Sequence, residues 1–310
     1  VILTVTLNAA LDVTYRVPRL DPHGTHRVRS ATERPGGKGL NVARVLAALG
    51  YATAVTGFVG GDTGRAVRAL LDAERGHHRS VRDELVTVEG GTRRTLAVVD
   101  ETTGDTTQFN EAGPEISAQE WATFRNAYRR LLGEAEAVAL CGSLPPGLPV
   151  GAYAGLVREA RAAQVPVLLD TSGEPLRRGL AARPDLVKPN LAELVEITGS
   201  TDPVGAARDA RRRGARAVAA SLGADGMVLV TEDGTRRARP PRRLGGNPTG
   251  AGDSAVAGLL LGVVRGRGWR EALVEAVALS TATVVAEAAG EFVGEVYREA
   301  LGGVEVWEGE

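Results

Sequence analysis

The chain has 310 residues, 43% hydrophobic and 24% charged, with a net charge of −1. That balance is ordinary for a globular protein and gives no basic surface for nucleic acid or an anionic membrane. The single cysteine, Cys141, excludes an internal disulfide framework and a cysteine-rich zinc site, and no apolar run reaches the roughly 20 residues that span a bilayer.

In chain order, VILTVTL reads as a core strand. It lacks the charged start of a signal peptide, so a cytoplasmic location is expected. PGGKGLNVARVLAALG carries apolar residues at Leu40, Val42, Ala43, Leu46 and Leu49 before Gly50, which is helical spacing with a glycine stop. TAVTGFVG (strand), DTGRAVRALLDAERG (helix), AEAVALCGS (strand), VGAYAGLVREARAAQ (helix) and VPVLLD (strand) follow. PDLVKPN reads as a strand leading into the helix LAELVEITG. ARAVAASLG and GMVLVTEDG close the strand series. Long helices are expected from about Ala251 to Arg265 and from Trp269 to Ala289.

Strands alternating with helices predict an α/β fold of three layers, α/β/α, with a mainly parallel sheet covered on both faces. The near-continuous apolar strands agree, and Cys141, at the end of one, is expected to be buried. Residues 12–34 and 92–110 break the rhythm and read as strands without helices, with ETTGDTT as a hairpin turn. They predict a small β-sheet lid over one edge of the main sheet. The length allows about two domains. No linker separates them, so residues 1–310 are expected to form one domain. The arginine clusters at 211–213 and 236–243 read as solvated faces, and His77-His78 as a solvated loop.

Two glycine-rich segments carry the chemistry. GGNPTGAGDS lets main-chain N–H groups converge, and a helix starting there offers unpaired N–H groups and a positive dipole end to an anion. The N–H groups of Gly250, Ala251, Gly252 and Asp253 would form that anion hole. Asp253 would accept a proton from a nearby hydroxyl, as phosphoryl transfer requires. Taken alone, the segment reads more simply as an N-cap aspartate after a loop. PGGKGLNVA is a second tight turn into a helix. Gly39 after Lys38 excludes a Walker A loop, while close backbone with Lys38 and Asn41 suits a polyhydroxylated sugar.

Together these segments resemble the PfkB (ribokinase-like) family of carbohydrate kinases, in its hexose-phosphate branch. TVTLNAALD, NEAGPEIS, GSLPPGLP, LVKPNLAEL and SLGADG fall between or beside the two signatures in the family's order, along nearly the whole chain. The resemblance implies that Asp253 is the catalytic base, with Gly250, Ala251 and Gly252 as the anion hole. It implies that Asp12, Gly37, Lys38 and Asn41 surround the sugar, that Arg93 meets its phosphate, and that Ser143 faces the pocket. Lys188, Asn190, Ser221, Gly223 and Gly226 would line the ATP site, and Asn190 with Glu193 would place Mg²⁺ through water. Without the family, Glu193 reads equally as a solvated helix residue, Arg93 as a surface strand arginine and Asp12 as a turn residue.

The sequence departs from the branch at Ala9, Thr25, Gln108 and Thr249. Thr25 stands where a substrate-facing lysine occurs in the minor 6-phosphofructokinase, which counts against fructose 6-phosphate. The expected function is MgATP-dependent phosphorylation of fructose 1-phosphate to the 1,6-bisphosphate, with Arg27 assisting Arg93. Tagatose 6-phosphate, fructose 6-phosphate, a free sugar or nucleoside, and a non-catalytic sugar-phosphate sensor remain as alternatives. A homodimer through the lid is expected, with no nucleic-acid or membrane partner. A dinucleotide-binding dehydrogenase is the least favoured reading, because the first strand leads to NAALD and not to G-x-G-x-x-G.

Overall fold

The computed structural model describes residues 1–74 and 81–309. His77 and His78 lie outside the described residues.

The chain opens with β1 (Ile2–Thr6), β2 (Ala10–Val17) and β3 (Ser30–Gly36), then α1 (Lys38–Ala48), β4 (Thr53–Gly60) and α2 (Gly61–Ala73). Four strands follow: β5 (Val81–Asp83), β6 (Val86–Val88), β7 (Arg93–Asp100) and β8 (Thr106–Asn110). Helices and strands then alternate as α3 (Ala118–Leu132), β9 (Ala137–Cys141), α4 (Ala152–Ala162), β10 (Val167–Asp170), α5 (Gly173–Ala181) and β11 (Leu186–Val187). Next come α6 (Leu191–Thr198), α7 (Pro203–Arg212), β12 (Ala217–Ser221), β13 (Met227–Thr231) and β14 (Gly234–Arg239). The chain closes with α8 (Ala251–Val264), α9 (Trp269–Val284), α10 (Gly294–Gly303) and β15 (Glu305–Gly309).

Among the described residues the main sheet has eleven strands, ordered β15-β14-β13-β12-β11-β10-β9-β1-β4-β5 with β6 also on β4. It is parallel from β12 to β5 and antiparallel from β12 to β15. The strand period of two explains the two cores. On β1, Leu3 and Val5 face the cluster made by α3 to α7, and Ile2 faces the cluster made by α1, α8 and α9. Both faces are therefore covered, which is why β1, β4 and β9 are buried along their whole length. Cys141 is fully buried.

The segments that broke the sequence rhythm form a second sheet, ordered β3-β2-β7-β8. β2 pairs antiparallel with β3 and parallel with β7, and β7 pairs antiparallel with β8 across the predicted turn. Helix α2 joins the two sheets: Val67 and Leu71 pack with Leu11 and Val13 of β2 and with Val55 and Val59 of β4.

Candidate active site

A cavity of about 880 Å³ opens between the two sheets, at the carboxyl ends of the parallel strands. Ligands gather there in open α/β sheets, because the strand ends splay and the following helices begin. Its walls come from β2 (Asp12), β7 (Arg93, Thr95), the start of α1 (Lys38, Asn41), the β11–α6 junction (Lys188, Asn190, Glu193) and the start of α8 (Gly250 to Asp253).

Asp253 is 6% exposed and stands at the third position of α8. Gly250, not Asp253, is the N-cap, so the simpler sequence reading is corrected. Gly250 has φ +86°, and a Cβ there would lie 2.8 Å from Ala289 Cα, so both backbone and space require glycine. No side chain caps this helix, which leaves first-turn N–H groups turned toward the cavity. Ala251 is the exception. Its N–H donates to the Pro248 carbonyl at 3.1 Å, which removes it from the expected anion hole.

Asn41 Nδ2 donates to Asp253 Oδ2 at 2.8 Å and fixes the carboxylate. That bond orients the amide, and Asn41 Oδ1 is then left buried with no partner. Burial pushes the Asp253 carboxyl up to about 6; Lys38, Asn41 and Lys188 pull down and Asp170 pushes up. A carboxylate titrating near neutrality suits a general base.

The two lysines are held by a residue that the sequence reading missed. Asp170, 1% exposed at the end of β10, accepts from Lys38 Nζ at 3.3 Å and sits 3.6 Å from Lys188 Nζ. Burial works against the Lys38 charge, yet Asp170 and then Asp253 carry its pKa above the usual lysine range. Lys188 Nζ lies 3.5 Å from where a Cβ of Gly252 would stand, so its charge borders the glycine turn. The signal for Asp170 was present: VPVLLD is an apolar strand ending in a carboxylate at the functional end of a parallel sheet.

On the second sheet, Asp12 and Thr95 are register partners, and the Thr95 hydroxyl donates to the Asp12 carboxylate. Burial raises the Asp12 pKa against the pull of Thr95, Arg93 and Arg44. Arg93 donates from Nε to the Asn8 carbonyl at 3.1 Å and from Nη1 to the Glu111 carbonyl at 3.4 Å. Two main-chain anchors thus aim its remaining donors. Gln108 and Asn110 complete this wall.

Asn190 and Glu193 form a reciprocal capping box, each bond 2.8 Å, at the start of α6. Among the described residues no group of three or more His, Cys, Asp or Glu side chains could hold a metal ion. Oxygen donors are present in the cavity wall, but not a protein cage. Such a wall fits a hydrated Mg²⁺ carried in with phosphates. Ser143 does not line the cavity; its hydroxyl accepts from Asn8 Nδ2 at 3.1 Å. Thr25 and Arg27 lie in an exposed loop and do not line it either.

A profile of the pfkB family carbohydrate kinases matches residues 5–293. The chain belongs to this family. It is a phosphotransferase with an alcohol group as acceptor. This pfkB kinase superposes on phosphofructokinase-2 from Escherichia coli, solved in complex with potassium, with a TM-score of 0.88 and 28% identity over 97% of this chain and 98% of that one. It superposes on a possible 1-phosphofructokinase from Thermotoga maritima with a TM-score of 0.89 and 26% identity over 100% and 99%. Arabidopsis thaliana ribokinase, solved with ribose and ATP, gives 0.74 at 23% identity over 97% and 98%, a likeness of fold. The architecture is ribokinase-like. No described helix is long and apolar enough to cross a membrane.

Proposed function

We propose that this kinase transfers the terminal phosphoryl group of ATP to a hydroxyl of a ketohexose phosphate, forming fructose 1,6-bisphosphate from fructose 1-phosphate. The observation that carries the reading is the buried Asp253 carboxylate, fixed by Asn41 at the start of α8, in one cavity with Asp12 and Arg93.

Each residue has work that follows from its chemistry. Asp253 takes the proton of the attacking hydroxyl as the oxygen approaches phosphorus. Asn41 serves the base: its amide donor holds the Asp253 carboxylate in place, while its Oδ1 is buried against Gly290 and closed to the acceptor. Asp12, braced by Thr95, accepts from sugar hydroxyls. Arg93 meets the acceptor's phosphate with a planar, charge-assisted fork. The N–H groups of Gly250, Gly252 and Asp253, with Lys188 beside them, receive the charge of the transferring group. Ser221, Gly223 and Gly226, brought beside Asn190 by a bridge between Asn190 and Ser221, shape the nucleotide end. Mg²⁺, held through water by Asn190 and Glu193, would neutralise phosphate charge.

A phosphorylated acceptor is favoured by the arginine on the acceptor wall and by two full-length relatives named as phosphofructokinases. Escherichia coli phosphofructokinase-2 has been solved with fructose-6-phosphate, so that sugar is the second reading. Thr25, exposed and not part of the cavity wall, gives it no cation in this chain. We further propose one domain over 1–310, with the second sheet as the lid that excludes water. The assembly is a homodimer through that sheet; the Escherichia coli protein also has a tetrameric inhibited form.

A coupled assay over fructose 1-phosphate, fructose 6-phosphate, tagatose 6-phosphate and free fructose tests the reading. Fructose 1-phosphate is expected to give the highest kcat/KM. Turnover of free fructose alone would overturn the phosphorylated-acceptor assignment, and turnover of none would overturn the catalytic one.

A further inference from the structure

The turn 288–291 touches three parts of the cavity wall at once. A Cβ on Gly250 would meet Ala289, and a Cβ on Gly290 would lie 3.1 Å from Asn41 Oδ1. The next residue, Glu291, forms an ion pair with Arg34 of β3. Arg34 is the register partner of Asp12, so the two side chains share a face of the second sheet. The turn that packs on the glycine cradle and on the base's amide partner is thus tied to the sheet that presents Asp12 and Arg93. The second tie is on the α1 side, where Arg44 Nη1 donates to the Pro35 carbonyl at 2.8 Å.

We propose that Arg34 and Glu291 are positioning residues that couple the acceptor-binding sheet to the nucleotide-side turn. They touch neither substrate. Their ion pair holds β3, and through its register Asp12, at the distance from the α8 start that one sugar spans. The proposal rests on the phosphoryl-transfer reading above. It adds that acceptor affinity depends on a contact on the far side of the nucleotide cradle. The two side chains are 33% and 44% exposed, so the contact itself is weak. Its consequence is expected in substrate affinity and not in folding.

The test compares Arg34→Gln, Glu291→Gln and the exchanged pair Arg34→Glu with Glu291→Arg. Each single variant is expected to raise the acceptor KM about 3- to 5-fold at saturating ATP, the scale an exposed pair supports, with kcat within about 2-fold. Tm should stay near wild type. The exchanged pair should restore the KM to within about 2-fold. An unchanged KM in both single variants, or an exchanged pair no better than either, overturns the coupling. Hydrogen exchange supplies a readout that needs no substrate. Amides of 30–36 should exchange faster in both single variants while those of 38–48 do not. Equal exchange at 30–36 in all proteins overturns the proposal even if no sugar phosphate is turned over, an outcome that would separately sink the functional reading.

Discussion

Asp253 combines three conditions in one residue: a buried carboxylate, an amide donor at 2.8 Å and a helix start beside it. Replacing it by asparagine keeps the shape and removes the proposed base. Asp253→Asn is expected to lower kcat by about 10³-fold or more, measured by coupled assay against intact folding by circular dichroism. In the wild type, kcat/KM should climb as pH rises through about 6, where the carboxylate ionises, and then level off. The stability sign is opposite. A carboxyl whose folded pKa is raised above its unfolded value stabilises the fold while protonated, and that contribution is lost as pH rises through about 6. The asparagine variant should therefore be more stable than wild type at pH 8, by up to about 3 kcal/mol, and similar to it at pH 4. Gly36 gives a second test. A Cβ there would lie 2.0 Å from Asp12 Oδ1 and 2.1 Å from its Cγ, so the carboxylate must leave its Thr95 partner and swing away from the proposed sugar site. Gly36→Ala should raise the acceptor KM at least about 10-fold, with a Tm loss no larger than one lost hydrogen bond gives. Asn41 and Asp253 were legible because the two glycine signatures contain them, whereas Asp12 and Arg93 were named only through the family resemblance. Thr95 was not legible, because its part depends on which strands lie side by side, and Asp170 was passed over although it closes a readable apolar strand.

Elements show the same division. Helices α1, α2, α4, α6, α8 and α9 lie where the sequence reading placed them, α8 and α9 as long apolar runs, although α9 ends at Val284, short of Ala289; α5 and α7, each with one apolar face, were not read. α3 was passed over despite a signal, the capping box of Ser117 and Glu120 ahead of Phe124, Tyr128 and Leu131. The short strands β5 and β6 have no readable period, since three residues form a strand only when a neighbour supplies the ladder, whereas β11 falls within the strand read at PDLVKPN. The turn before α8 is where element geometry and chemistry coincide. Gly250→Ala forces a side chain into φ +86° and against Ala289, a backbone penalty of about 1–2 kcal/mol before the clash is counted. Because the first-turn N–H groups take their direction from this residue, the variant should show a nucleotide KM raised at least about 10-fold together with a lower Tm. A normal nucleotide KM with a lowered Tm would leave Gly250 as a structural glycine and move the anion cradle elsewhere.

For the whole molecule, the decisive surface is the outer face of the second sheet. The register aligns Val13, Leu96 and Phe109 in one row across β2, β7 and β8, on the side opposite Asp12 and Thr95. α2 covers the Val13 end of this row. The other end is open: Phe109 is 59% exposed beside a shallow cavity that Tyr15 and Leu96 also line. On the proposed reading this sheet holds Asp12 and Arg93 over a sugar, and its apolar end would stand in water without a cover. A second copy of the same face would cover it, and isologous pairing needs no other partner. A stable dimer buries about 1,200–2,000 Å² in total, so β8 and its neighbours must all take part. Phe109→Glu places a charge at the centre of the proposed contact and touches nothing in the catalytic cavity. Sedimentation velocity should show a dimer for wild type and a monomer for this variant. Acceptor KM should rise in the monomer and nucleotide KM should not, because only the acceptor wall is built on this sheet. A variant that stays dimeric would place the interface on another surface, with the second sheet free to move over the site by itself.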